Sequence, residues 1–372
     1  MTDSADVVII GGGLIGCACA YYLTTAGLSV VLCERGDLGE GASGACEGIL
    51  SLQSKPPGPA LRAARRALDL YQTLPGELDA DLELRREGGL VVCQTDQDLE
   101  LARAQARRLA DEGVPVELLS PAQARGLVPA LVETIAGAAY CPLEAHLNPW
   151  KLLLALARVA ERGGARLLTH TTVEGIRCRG DVVEGVDTSA GAIHCRAVVN
   201  ATGARAPEVA AWVGVALDIA PQRGQVLVTE KAPKLLGPFV LSAGYAAGKL
   251  RSQAQPPAAV AAAQLATGNV LIGSTRELVG DRADTTPEGL TDIATEAQAL
   301  LPGLAGLAVI RSFAGVRPYT PAGRPVVGHV GGPAGFIVAA GHGGDGVALA
   351  PWTGAQVAQV LTDGSTLKKQ AF

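Results

Sequence analysis

Gly11, Gly13 and Gly16 stand in the spacing G-x-G-x-x-G, and Glu34 follows 18 residues after the last of them. An apolar run, Val7-Val8-Ile9-Ile10, leads directly into these glycines. A helical pattern over Cys17 to Ala26 comes next, then Gly27 and a second apolar run, Ser29 to Cys33, ending at Glu34. Strand, tight turn, helix, strand and acid in this order make a grip for a dinucleotide. Gly11 permits the turn. Gly13 lets backbone reach the pyrophosphate at the positive end of the helix, and Gly16 lets helix and strand approach. Leu14 and Ile15 lie inside the same turn, and Arg35 follows the acid. Glu34 suits the ribose hydroxyls of the adenosine half and repels a 2′-phosphate, which argues against an NADP-type ligand. The motif alone leaves FAD and NAD both open.

Two further segments have the same character. Val198 to Gly203 is an apolar strand ending in Ala201-Thr202-Gly203, a turn small enough for backbone to meet a nucleotide. Near the other end, the strand Phe336 to Ala340 runs into Gly341-His342-Gly343-Gly344-Asp345-Gly346 and then a helix. Glycines at that density bring backbone close to something flat or charged. A helix N-terminus there adds partial positive charge, which suits a reduced flavin that is anionic around N1 and the C2 carbonyl. A plain left-handed glycine turn is the alternative.

These pieces together resemble the D-amino-acid oxidase superfamily of FAD proteins, which includes sarcosine and glycine oxidases. The resemblance rests on Val7 to Gly16 with Glu34, Gly41-Ala42-Ser43-Gly44, Asn148-Pro149, Val199 to Gly203, Gly315 to Pro321, and Gly341-His342 through Ala350-Pro351. A closer likeness, to β subunits of heteromeric opine, proline and D-hydroxyproline dehydrogenases, rests on four segments. They are Gly44 to Gly48, Leu52 to Gly58, Arg223 to Glu230 and Leu271 to Glu277. The resemblance implies an α/β fold. A discontinuous, Rossmann-like FAD-binding domain (1–82, 141–215 and 308–372) joins an α+β substrate domain with a large mixed or antiparallel sheet (83–140 and 216–307). It implies FAD held by Gly11, Gly13, Leu14, Ile15, Gly16, Glu34, Arg35, Ala42, Ser43, Gly44, Val173, Ala201, Thr202, Gly203, Arg317 and the run Gly341, His342, Gly343, Gly344, Asp345, Gly346. It further implies oxidation of an amine by hydride transfer to flavin N5. The electrons then pass to a partner α subunit carrying flavin or a [2Fe–2S] centre, or to another acceptor.

Two departures matter. Sarcosine-oxidase relatives attach FAD through a Cys at the position of Arg317, so a non-covalent flavin is expected here. Relatives often carry Asp at Ala322 and Glu or Ser at Gly343. Gly343 implies a wider or less discriminating pocket.

With the flavin taking the hard step, the protein must hold the substrate. No Ser-His-Asp or Cys-His set is identifiable, and the five histidines do not cluster at metal spacing, so no metal is expected. A substrate carboxylate calls for Arg. Arg251 is the first candidate, read as mid-strand in Gly248 to Ser252, and its ordinary alternative is a solvated arginine on an edge strand. Arg317 serves either substrate or flavin. Tyr245, read as a loop residue, closes the pocket or simply packs. His342 touches the flavin or accepts a proton, against the alternative of a buried histidine satisfied by backbone. Glu47 and Gln53 face the isoalloxazine or lie in a solvated loop.

Positioning these groups requires several elements. Helices are expected over about Ala60 to Leu74, Leu99 to Leu109, Trp150 to Arg162 (Pro149 at its first position), Glu288 to Leu301 and Gly346 to Leu361. A strand pair is expected over Leu84 to Gln94. Ile219 to Ser274 reads as strands and turns, and Ala308 to Val316 as a strand.

The chain is 48% hydrophobic with a net charge of −5 and no basic run, which argues against a nucleic-acid partner, tRNA included. No signal peptide or transmembrane segment is expected. The eight cysteines show no C-x-x-C pair and read as reduced thiols in a cytoplasmic protein. A self-sufficient oxidase that uses O₂ and a non-catalytic FAD-binding assembly subunit are the alternatives to a dehydrogenase.

Overall fold

The computed structural model describes residues 3–363. Val7–Ile10 and Val30–Cys33 are wholly buried strands. Unbroken apolar runs behave this way when both faces of a parallel sheet are covered. They sit in a six-stranded sheet ordered Val326–Gly328, Phe336–Ala340, Ala197–Asn200, Val7–Ile10, Val30–Cys33, Arg166–Leu168. Every neighbouring pair is parallel except Val326–Gly328 with Phe336–Ala340. Strands from both ends and the middle of the chain therefore lie side by side. Their carboxyl ends carry the turns at Gly11, Ala201 and Gly341, where ligands of open α/β sheets bind.

The first helix, Leu14–Thr25, the last, Gly346–Thr362, and Pro149–Arg162 cover one face through Leu14, Ala18, Leu152, Leu156, Ala350 and Val357. Pro149–Arg162 starts where the sequence places it. Asn148 Oδ1 accepts the Trp150 and Lys151 amides at 3.1 and 3.3 Å, and Gly163 ends the helix. A four-stranded sheet including Val182–Thr188 covers the other face through Val183, Val186 and Ile193.

An eight-stranded sheet forms the second layer system, ordered Val309–Tyr319, Ala220–Lys231, Asn269–Gly273, Ala261–Gln264, Phe239–Ser242, Gly89–Cys93, Gly137–Cys141, Glu117–Leu119. It is mixed: Phe239–Ser242 pairs parallel with Gly89–Cys93 and the rest pair antiparallel. The helix Pro287–Leu300 packs on it through Ile293 and Ala297.

Three expectations need correction. Leu84 to Gln94 holds one strand, Gly89–Cys93, with Arg85 in an isolated bridge to His146. The stretch from Ile219 to Ser274 contains a helix, Ala243–Leu250, capped by Ser242 Oγ, which accepts the Tyr245 amide at 3.2 Å. Three alanines in its eight residues favour that helix. Arg251 is thus the exposed residue after a helix and not mid-strand. Tyr245 likewise sits on the helix and not in a loop. The strand expected to end at Val316 continues to Tyr319, which puts Arg317 inside the sheet opposite Gln222. Among the described residues, no helix is long and apolar enough to cross a membrane.

Candidate active site

The dinucleotide turn has the expected geometry. Gly11 adopts φ +108°, and a Cβ on it would lie 2.7 Å from the Ala201 carbonyl oxygen. A Cβ on Gly16 would strike the Gly11 carbonyl. Both glycines therefore serve close packing of the strand ends. Glu34 is held by its own turn: its Oε2 accepts the Gly12 amide at 2.6 Å and its Oε1 the Gly36 amide at 3.0 Å. The Thr171 amide donates to the Glu34 carbonyl at 2.8 Å, which brings the start of Val173–Arg179 beside the acid. Arg35 is exposed next to it. The first helix has no side-chain cap from Gly13. Instead Ser43 Oγ reaches across and accepts the Leu14 amide at 2.9 Å, so Ala42-Ser43-Gly44 folds against the turn.

The C-terminal glycine loop joins this site through the sheet. Val338 pairs with Asn200, and Asn200 with Ile10. Gly341 and Gly343 adopt φ +77° and +55°. His342 is buried, and its Nε2 lies 2.9 Å from Thr353 Oγ1 on the last helix. Burial pushes its imidazole down to about 4, so the ring is neutral near pH 7. A hydroxyl, not backbone, satisfies it.

Asp345 carries the most charge-dense arrangement here. Its Oδ1 takes Lys55 Nζ at 2.9 Å and also pairs with Lys249. Burial works against its charge, but Lys249 and Lys55 outweigh burial and hold the carboxyl well below the usual carboxylate range. Burial also pushes the Lys55 ammonium down, and Asp345 offsets part of that. Lys249 lies on the Ala243–Leu250 helix. The ion pairs therefore tie two distant segments to the glycine loop.

Arg317 stands between the eight-stranded sheet and this loop. Its Nη1 donates to the Thr275 carbonyl at 2.9 Å and its Nη2 to Ser274 Oγ at 2.8 Å. The guanidinium lies over Gly224, where any Cβ would collide with it. On the loop side, a Cβ on Gly344 would be 3.7 Å from Arg317 Cδ and Nε. Thr275 is itself positioned: its Oγ1 donates to Glu277 Oε2 at 2.7 Å, and Glu277 pairs with the buried Arg223 at 2.9 Å.

Above these groups, the Arg276 guanidinium lies 4.5 Å from the Tyr245 ring centroid. Glu47 is buried against Gly273, and its Oε1 has no hydrogen-bond partner among the described residues. Gln53 is buried too, but its Nε2 is committed to the Gly89 carbonyl at 3.1 Å and to Glu144 Oε2 at 3.0 Å. Arg251 points to solvent and joins none of these contacts.

A scan against family models matches residues 6–360 to the FAD dependent oxidoreductase family, the D-amino-acid oxidase group. The chain belongs to this family. It is 30% identical to a glycine oxidase of Geobacillus kaustophilus over 97% of this chain and 94% of that one. The crystal structure of that organism's glycine oxidase superposes with a TM-score of 0.90 and covers both chains fully. An opine oxidase subunit of Agrobacterium tumefaciens is 29% identical over 96% of this chain and 94% of its own. L-proline dehydrogenase from P. horikoshii is 25% identical with a TM-score of 0.89, covering 99% and 96%.

The protein is therefore an FAD-dependent oxidoreductase. Its glycines fit the cofactor. A Cβ on Gly41, Gly203 or Gly343 would meet nothing within 4 Å, and one on Gly13 would meet only Ser43 Oγ, at 3.1 Å. These four leave room for a ligand against bare backbone, whereas Gly11 and Gly16 are filled by the fold itself.

Sequence reasoning missed Glu144. This fully buried carboxylate accepts the Gln53 amide at 2.6 Å, the Ser51 hydroxyl at 2.9 Å and the Leu52 amide. Burial raises its carboxyl above the usual range, against the pull of those bonds. Its role is to shape the turn that delivers Lys55 to Asp345. No local pattern marks it, because every partner lies about 90 residues upstream. Lys55 and Lys249 were missed as partners for the same reason.

Proposed function

We propose that this chain oxidises the C–N bond of an imino acid, a D-amino acid or an opine and passes the electrons to a partner subunit or another acceptor. FAD bound along the glycine turns supplies the acceptor for the hydride that leaves the carbon bearing nitrogen. The residues of this chain do the holding. The observation that carries the reading is Arg317 beside Gly344. Among the described residues two of its five N–H donors are engaged, by Thr275 and Ser274, and the others are open to the two-bond fork of a carboxylate at the loop. Thr275 and Ser274 hold the guanidinium in place, and Glu277 holds Thr275. Lys55 and Lys249 clamp Asp345 and so fix the glycine loop at the N-terminus of the last helix. Tyr245, on the helix that carries Lys249, roofs the pocket. His342, neutral and held by Thr353, braces the loop.

Residues 83–140 and 216–307 form the substrate domain in this reading, joined by Val309–Tyr319, the edge strand of its eight-stranded sheet, and the remainder binds FAD. Arg317 occupies the place of a tethering Cys, so the flavin is non-covalent and denaturation releases all of it. The similarity to an opine oxidase subunit supports a hetero-oligomer whose α subunit carries flavin or a [2Fe–2S] centre. The eight unpaired cysteines support a cytoplasmic location.

The test is anaerobic mixing of the purified yellow protein with proline, D-hydroxyproline, glycine, sarcosine and opines. Bleaching of the flavin by at least one is expected. Photoreduction without bleaching by any would leave a non-catalytic assembly subunit. A self-sufficient oxidase is the second reading, favoured by the glycine oxidase similarity. Oxygen consumption by the lone chain would select it, and dye reduction without peroxide the dehydrogenase.

A further inference from the structure

We propose that Arg276 is a second anion anchor and that the preferred substrate is an amine bearing two carboxylates. The inference rests on the amine-oxidising reading above and narrows its substrate class.

Three observations converge. First, Arg276 Nη2 is buried and has no hydrogen-bond partner among the described residues. A buried guanidinium N–H left unpaired is costly, so a site that keeps one is incomplete until a ligand supplies the acceptor. Glu47 Oε1 is itself without a hydrogen-bond partner among the described residues, and the other two nearby carboxylates are engaged elsewhere. Glu277 serves Arg223, Gln225 and Thr275, and Asp345 serves Lys55 and Lys249.

Second, the placement is right. Arg276 directly follows Ser274-Thr275, the two residues that receive Arg317, so both arginines attach to one short segment. The guanidinium face lies on Tyr245, 4.5 Å from the ring centroid, and Gly248 packs closely beside Nη1. Stacking uses the face of the group and leaves its edge for a planar anion. The same helix carries Lys249, which pairs with Asp345 in the flavin loop.

Third, a simple amino acid uses only one of the two guanidinium groups. Lys55 and Lys249 are spent on Asp345, and Arg223 on Glu277 and Asp284, whereas Arg317 and Arg276 have no carboxylate partner among the described residues. A monocarboxylic amine supplies an acceptor for one arginine, whereas a dicarboxylic amine supplies one for each. The second carboxylate sits either on the nitrogen substituent, as in an opine, or on the carbon chain.

Matched probes separate these cases. Sarcosine and iminodiacetate differ by one carboxylate on the nitrogen substituent, and D-alanine and D-aspartate by one on the carbon chain. Methylthioacetate and thiodiacetate form an unreactive pair, read by perturbation of the flavin spectrum. We expect thiodiacetate to bind roughly tenfold or more tightly than methylthioacetate. At least one amine pair should show the same preference in kcat/KM. In Arg276→Met the binding ratio should fall toward one, and in Arg276→Lys, which keeps the charge but loses the fork, it should lie between Arg276→Met and wild type. Equal binding of the two thioethers, or a ratio unchanged in Arg276→Met, overturns the proposal. Should Arg276→Met fail to hold flavin, a wild-type ratio near one in both the thioether and amine pairs still overturns it. Failure of every amine to bleach the flavin while thiodiacetate still binds selectively overturns the amine-oxidising reading and leaves the anchor standing.

Discussion

Lys55 Nζ lies 2.9 Å from Asp345 Oδ1, although the two residues are 290 positions apart in the chain. The pair is largely buried and Lys249 shares the carboxylate, so removing the carboxylate strands two ammonium groups together. Breaking a buried pair from one side costs about 3–5 kcal/mol. Asp345→Asn should therefore lower the melting temperature and loosen the glycine loop, releasing FAD on dialysis. Melting and flavin content measure both, and a variant that kept both at wild-type level would remove the clamp from the account. The Asp345 carboxyl is depressed below its ordinary 3.8, so its stabilisation is present above that pH and lost as pH falls through the lower folded value.

His342 gives an opposite-type group with the same sign of pH effect. Its folded value, about 4, lies below the ordinary 6.5. The unfolded chain binds the proton first, so stability is full above pH 6.5 and declines as pH falls toward 4. That gap corresponds to roughly 3 kcal/mol. Melting curves between pH 7 and 4 should show the decline, and His342→Gln should flatten it. A slope identical in the variant would mean another group is responsible.

Arg317→Lys keeps charge but loses the fork. Its KM for a carboxylated amine should rise at least about tenfold, since a bidentate contact becomes a point charge. Arg251→Ala is the control: the side chain is exposed and outside the site, so KM should not move. Steady-state kinetics with a dye acceptor decide both. A KM shift in Arg251→Ala alone would reverse the assignment.

Gly13→Val tests the cradle. A Cβ there meets only Ser43 Oγ, at 3.1 Å, so the fold tolerates the new side chain better than the pyrophosphate does. The expected product is folded and colourless, measured by circular dichroism and by the visible flavin absorbance. A yellow, folded variant would contradict the placement of the phosphates.

The nucleotide half was legible because its signals are local: Val7 to Glu34 carries strand, turn, helix, strand and acid within one stretch. Gly341 to Gly346 announced itself by composition. The substrate half was not legible, for physical reasons. Ala243 to Leu250 is short and small-residued, and periodicity does not separate such a run from a strand, so Arg251 took a role that belongs elsewhere. Arg317 is expected beside the flavin from its segment alone; its partners Ser274 and Thr275 lie more than 40 residues away and leave no local signal. Glu144 left no local trace at all. Contacts of that range are set by the sheet order and not by any window of sequence.

The sheet order also governs when the cofactor can be captured. The inner strand near residue 8 pairs with one near residue 198, which pairs with one near residue 337, and the last helix closes over the first. A growing polypeptide on the ribosome thus has no finished pocket until its closing stretch has emerged. Colour should arrive only once Gly346–Thr362 has emerged, and products that stop short of that helix should stay white.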